Sequence, residues 1–242
     1  MIPLHDDVPA WRRPVVTYAL IILNVLAFLY ELGIGANITP FLQHWAVIPR
    51  ELTLEWPHLL QGQLRPAIWL SVLTAMFLHG GWLHLGGNML FLWIFGDNVE
   101  DRLGRVGFLL FYLASGVAAT ALQVYLNPMS RVPTLGASGA IAGVLGAYMV
   151  LYPRAQVLTL LPLGLLSTTF RVPALFYLLL WFGLQAVQGV VSLETGRADT
   201  GGVAWWAHVG GFILGILVGA LLRLGHRPPP RNPYADRWYS NR

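Results

Sequence analysis

The chain has no cysteine among its 242 residues, no lysine, and only 11% charged residues. Without cysteine there is no disulfide, no thiolate metal site and no cysteine nucleophile. So little charge excludes an ordinary soluble domain, in which about a quarter of residues are charged. The fifteen cations are all arginine and lie between apolar runs. The net charge of +4 therefore gives no basic face of the kind a nucleic acid needs. No H-E-x-x-H metal motif occurs, and neither a metal nor a cofactor is called for. Asp6, Asp7, Asp97, Asp101, Asp199 and Asp236 all fall in flanks or loops, so a paired-aspartate intramembrane protease is excluded. There is no internal repeat and no pair of intramembrane charges, which argues against a small transporter.

What the chain does contain is apolar sequence: 56% hydrophobic residues and a mean hydropathy of +0.59. It reads as an all-α polytopic membrane protein with six spans, at about 14–34, 76–96, 106–126, 136–152, 172–192 and 204–223. Segment 156–168 is apolar but interrupted by Pro162 and Gly164. It is expected to lie at the interface or to extend the fifth span, with a seventh crossing as the alternative. The first loop, 35–75, carries Trp45, Trp56 and Trp69 and is expected at headgroup level. Three regions follow: a cytoplasmic N-terminal segment, 1–13; a six-helix domain, 14–224; and a Pro/Arg-rich cytoplasmic tail, 225–242. With the N-terminus inside, eleven arginines flank the spans on the cytoplasmic side against Arg50, Arg65, Arg131 and Arg197 outside. That asymmetry puts both termini in the cytoplasm. The first span is too long for the apolar core of a signal peptide.

Polar groups inside spans are costly and so are functional candidates. Ser138 opens the fourth span in Gly136-Ala137-Ser138-Gly139, and His208 lies one turn into the sixth. His79 and His84 stand at the outer end of the second span, with Asn88 one turn deeper. Spans two, four and six all enter from the outer face, so these groups share one depth. Gly139, Gly143 and Gly146 form a small-residue face on span four; Gly211, Gly215 and Gly219 form another on span six. Such faces let backbones approach closely, and packing them together would bring His208 to Ser138. A serine and a histidine so placed are a nucleophile with its general base.

Taken singly, each group has a plainer reading. A membrane serine can bond a backbone carbonyl, His208 can be a structural hydrogen-bonding residue, and glycine stripes are ordinary helix packing. His84 and Asn88, four apart, share a helix face; they are either interhelical hydrogen-bonding groups or donors for an oxyanion. His79, off that face, reads as a structural group of the first loop. No aspartate is placed to orient His208, so a dyad held by packing is expected.

These residues resemble the rhomboid intramembrane serine proteases. The resemblance rests on His79-x4-His84-x3-Asn88, Glu100-Asp101-Arg102-Leu103-Gly104, Gly136-Ala137-Ser138-Gly139, and Ala204, His208, Gly211 and Gly215, in that order. It implies a six-helix rhomboid-like bundle in which Ser138 is the nucleophile and His208 the base. His84, Asn88 and the Ser138 N–H would form the oxyanion hole, Gly136 would place the loop before Ser138, and Glu100 and Arg102 would be structural. It also implies transmembrane-helix substrates, cut at small residues near helix-destabilising ones. They would enter between spans two and five, with motion of loop 193–203. Two positions depart from the family pattern. Its Trp-Arg pair before span two falls at Leu70 and Ser71, and the aromatic that in some members stacks on the base is Ala142. A prokaryotic plasma membrane is expected from the compact form. The reading from another class is an inactive rhomboid-like adaptor that binds membrane helices; such a protein usually lacks one or both of the dyad residues.

Overall fold

The computed structural model describes residues 1–63, 65–163, 166–194 and 203–225. The loop glycines Gly196, Gly201 and Gly202, Arg197, and the tail beyond Gly225 lie outside the described residues.

Helix α1 (Val15–Ile34) leads into three short helices, α2 (Ile38–Trp45), α3 (Pro49–Leu60) and α4 (Pro66–Thr74), which build the first loop. Proline starts both α3 and α4, at the position where its missing N–H costs nothing. Helix α5 (Trp82–Leu126) breaks at Gly104, where φ is 72° and ψ 166°. Only glycine takes that conformation without strain, so α5 is two arms, 82–103 and 105–126. The first arm starts later than the expected span because residues 78–81 are non-helical, and it runs further because the helix breaks only at Gly104. Helices α6 (Ser138–Leu151), α7 (Ala174–Glu194) and α8 (Trp205–Leu224) complete the bundle.

Among the described residues, four helical stretches are long and apolar enough to cross a membrane, those of α1, α5, α7 and α8. Helix α6, at 14 residues, is shorter than the roughly twenty that a span normally needs. It is also buried along nearly its whole length, from Gly139 to Met149. A helix enclosed by its neighbours has little surface to match to lipid, and α6 is the hub of the core that includes Phe95, Phe108, Tyr112, Leu145, Tyr148 and Phe212.

Segment 156–168 is where the helical reading gives way. It forms strand β2 (Gln156–Leu163), antiparallel both to β3 (Leu166–Pro173) and to the N-terminal β1 (Ile2–His5), in the order β1-β2-β3. Neither an extension of the fifth span nor a seventh crossing is formed. Val157 pairs with Val172, and Ile2 with Leu160. This sheet lies at the end of α6 remote from Ser138, about 20 Å away along the helix.

The same end is tied by carboxylates. Glu100 accepts the Val16 N–H (3.0 Å), the Thr17 N–H (2.8 Å) and the Thr17 hydroxyl (2.8 Å), holding the start of α1. Asp101 accepts the Trp11 and Arg12 N–H groups, and Asp7 accepts that of Gln156. The Tyr148 hydroxyl donates to Asp6. Segment 1–13 is thus laced to the bundle rather than loose.

Helices α6 and α8 are the most extensively packed pair. A Cβ on Gly211 would stand 1.9 Å from the Gly139 carbonyl oxygen, and one on Gly215 2.0 Å from that of Gly143. A Cβ on Gly146 would stand 2.2 Å from the Phe212 oxygen. The two glycine faces meet backbone to backbone, as their spacing indicated.

Two measurements test this architecture. Gly215→Ala should cost about 1–3 kcal/mol by overpacking and lower the thermal midpoint in detergent. Gly183→Ala, with nothing within 4 Å of the added methyl, should not. Burial raises the Asp6 carboxyl from 3.8 to about 6, against the opposing pull of the Tyr148 hydrogen bond. A carboxyl raised on folding stabilises most below its unfolded value, and that contribution fades as pH rises through the folded one. The midpoint should therefore fall between about pH 4 and 7, and Asp6→Asn should flatten that part of the curve.

Candidate active site

Ser138 is the first residue of α6, preceded by a tight loop. In that loop Gly136 has φ +125°, a value other residues rarely adopt, and its N–H donates to Ala75 O at 2.8 Å. Thr134 and Val47 exchange backbone hydrogen bonds of 2.7 and 3.0 Å, and the Arg50 N–H donates to Ser130 O. The small helices of the first loop therefore hold the chain that presents Ser138. Being at a helix N-terminus, Ser138 has a backbone N–H with no intrahelical acceptor, on the side where the helix dipole favours negative charge.

His208 sits in the first turn of α8 and is buried. The Ser138 hydroxyl donates to His208 Nε2 at 2.7 Å. The contact follows from the glycine interface, since Gly139 and Gly211 are the neighbouring positions where the two backbones touch. On the other side of the ring, Nδ1–H donates to Oε1 of Gln185, on α7, at 2.6 Å. Trp181 and Trp205 flank the imidazole, with ring centroids 5.8 and 6.2 Å away. The position one turn along α6, Ala142, contributes only a methyl group.

His84 lies across from the dyad. Its Nδ1 accepts the Gly80 N–H at 3.3 Å, which leaves the proton on Nε2. Its ring rests on Gly136, where a Cβ would come within 2.8 Å of Nε2. Asn88 is buried one turn deeper, and its amide donates to His79 Nε2 at 3.0 Å. That bond uses one of the two amide hydrogens. The His79 backbone N–H donates in turn to Glu31, at 3.1 and 3.3 Å from its two oxygens. Glu31, a residue near the end of the first span, is buried.

A cavity of about 520 Å³ opens beside these groups. Its wall includes Gly80, His84, Gln123, Asn127, Ser130, Leu135, Gln188, Ser192, Ala204 and Trp205. His84 faces it; Ser138, His208 and Asn88 do not line it. Hydroxyls and amides on this wall make room and partners for water beside the half-buried Ser138. Among the described residues no group of three or more His, Asp or Glu side chains is placed to hold a metal ion.

Sequence reasoning missed Gln185 and gave Glu31, an ionisable residue near the end of a span, no role. A glutamine in the fifth span carries no spacing that points to His208. The cost of a carboxylate inside a span was the available signal for Glu31.

The family model described as the Rhomboid domain matches residues 66–225. The chain is 32% identical over 213 residues to the rhomboid protease GluP of Bacillus subtilis, covering 88% of this chain and 36% of that protein. It is 31% identical over 154 residues to Rhomboid protein 1, mitochondrial, of Saccharomyces cerevisiae, covering 62% of this chain and 41% of that one. A third relative, Rhomboid-like protein 11, chloroplastic, of Arabidopsis thaliana, is 42% identical over 76 residues, 31% of this chain and 27% of its own length. The matched stretches thus span well under half the length of these relatives.

A serine hydrogen-bonded to an oriented histidine should react with a fluorophosphonate. The expected adduct is on Ser138, located by mass spectrometry of the detergent-solubilised protein, and it should be lost in His208→Ala.

Proposed function

The chain belongs to the rhomboid family, is a multi-pass integral membrane protein, and from that premise we propose that it is an intramembrane serine protease. Its substrates would be membrane proteins, cut in or beside a transmembrane helix. The observation that carries this reading is the 2.7 Å hydrogen bond from the Ser138 hydroxyl to His208 Nε2, half-buried between two helices of a membrane bundle.

The reaction follows from the proton positions. Nδ1 carries a hydrogen, so Nε2 has the lone pair that accepts the Ser138 proton as Oγ attacks the substrate carbonyl carbon. The carbonyl oxygen becomes an oxyanion. Its donors are the Ser138 N–H, His84 Nε2–H and the second amide hydrogen of Asn88. Charge stabilisation by fixed donors is strong where water is scarce. The imidazolium then gives its proton to the leaving amine as the C–N bond breaks. Water reaching the site through the polar cavity attacks the acyl-enzyme, again with Nε2 as base, and restores the serine. A helical substrate hides its carbonyls in its own hydrogen bonds, so the segment that is cut must first unwind.

We read the two arms of α5 as separate crossings and α6 as a short one, which gives six spans with α1, α7 and α8. The arginine distribution supports both termini on the cytoplasmic side. It bears on orientation and not on compartment, and the relatives are named from a bacterium, mitochondria and a chloroplast. A prokaryotic plasma membrane is our proposal on the compact form of the bundle.

Reconstituted with a fluorescent transmembrane peptide, the wild type should cleave, and Ser138→Ala and His208→Ala should not. Asn88→Ala and His84→Ala should each lower kcat by about 10²–10³, the usual worth of one oxyanion donor. Undiminished cleavage by Ser138→Ala would refute the mechanism.

A further inference from the structure

A base that relays a proton needs its ring held in one plane and one tautomer. The sequence offers no carboxylate for this, and position 142 on α6 offers no aromatic ring. The 2.6 Å hydrogen bond from His208 Nδ1 to Gln185 Oε1 supplies the missing constraint. Trp181 and Trp205 confine the ring sideways, but an aromatic wall cannot choose which nitrogen carries the proton. A carbonyl acceptor can. With Oε1 facing Nδ1, the hydrogen stays there, and Nε2 faces the Ser138 hydroxyl as an acceptor.

We propose that Gln185 is the positioning residue of this site, a neutral third member that fixes His208 in its base-competent tautomer. The proposal rests on the protease reading above. Its chemistry suits a bilayer. A carboxylate here would be a charge in a low-dielectric bundle, costly unless fully paired. An amide carbonyl accepts the same hydrogen bond without that cost. As His208 becomes imidazolium, the dipole of the Gln185 carbonyl points its negative end at the growing charge. The side chain also has the reach for the task. Helix α7 turns Leu178, Trp181, Gln185 and Gly189 inward at helical spacing, while Leu180, Leu184 and Val187 are exposed. Asparagine, one methylene shorter, would fall short of Nδ1 from the same backbone. Around His208, α5 presents His84, α6 presents Ser138, and α7 presents Gln185 and Trp181; His84 is the titratable neighbour that acts on it electrostatically.

Two variants separate positioning from packing. Gln185→Leu keeps volume and removes the acceptor. Gln185→Glu keeps the acceptor at the same reach and adds a charge. Each is compared with wild type for kcat and KM on a transmembrane peptide, for the fluorophosphonate labelling rate of Ser138, and for both against pH. Gln185→Leu should lower kcat and labelling about 10- to 100-fold, a part of the ~10²–10⁴ that a positioned base contributes, with KM little changed. Gln185→Glu should retain most of the activity, with the acidic limb of its pH profile moved to higher pH, because a carboxylate favours the protonated imidazole. If Gln185→Leu does not fold, the Gln185→Glu profile decides alone. Unchanged kcat in Gln185→Leu, or an unmoved acidic limb in Gln185→Glu, overturns the proposal while leaving the protease reading intact. A wild type that neither labels nor cleaves overturns both.

Discussion

The close contact between α6 and α8 is the constraint on which the rest of this molecule depends. In a bilayer the hydrophobic effect does not press helices together, so association rests on packing and hydrogen bonds. Here the packing is backbone on backbone, through Gly139, Gly143 and Gly146 on one helix and Gly211 and Gly215 on the other. That contact sets the depth and separation of the two helix starts. Ser138 and His208 stand at those starts, so their hydrogen bond is a consequence of the interface rather than an independent achievement. A single methyl group at Gly211 or Gly215 would push against a carbonyl oxygen and act on the chemistry from a distance.

The two ends of α6 are secured by different means. At the Ser138 end the restraint is a loop strapped to the small helices of 38–74, through Val47, Arg50 and Ala75. At the other end it is a set of carboxylates, Asp6, Asp7, Glu100 and Asp101, that gather the N-terminal segment and the sheet. Glu100 and Asp101 answer backbone N–H groups at the start of α1 and in the segment before it, which have no helical partner, while Asp6 and Asp7 accept from the Tyr148 hydroxyl and the Gln156 N–H. The division leaves a polar cavity beside the Ser138 end and the N-terminal segment tied down at the other.

Much of this was legible in the sequence, for identifiable reasons. Long apolar runs announce spans by length alone, and small residues four apart announce a helix contact. The common depth of Ser138, His84 and His208 follows from counting crossings. The sheet was hidden because its evidence is non-local: nothing in Ile2–His5 says that it will pair with Gln156–Leu163. Pro162 and Gly164 were visible as breaks, but a break in an apolar stretch does not distinguish a hairpin from a kinked helix. The start of α5 was misplaced because Gly81, with φ +154°, delays the helix past an apolar run that hydropathy alone would include. Glu31 was given no role, since its partner is a backbone N–H 48 residues away.

Gln185 marks the limit of such reading, and its position explains why. The absence of an aspartate near His208 was read as a dyad held by packing, and Ala142 made even that packing hard to see. The structure replaces both with groups from α7: Trp181 beside the ring and Gln185 at its far nitrogen. The restraint has moved from the helix that carries Ser138 to one that packs less extensively against the bundle. On α6 an aromatic ring would hold the histidine as firmly as the glycine interface holds the helix. On α7 the hold depends on that helix staying against α8. The tautomer of the base is thereby linked to the placement of a lipid-facing helix, and anything that draws α7 outward removes the acceptor from Nδ1.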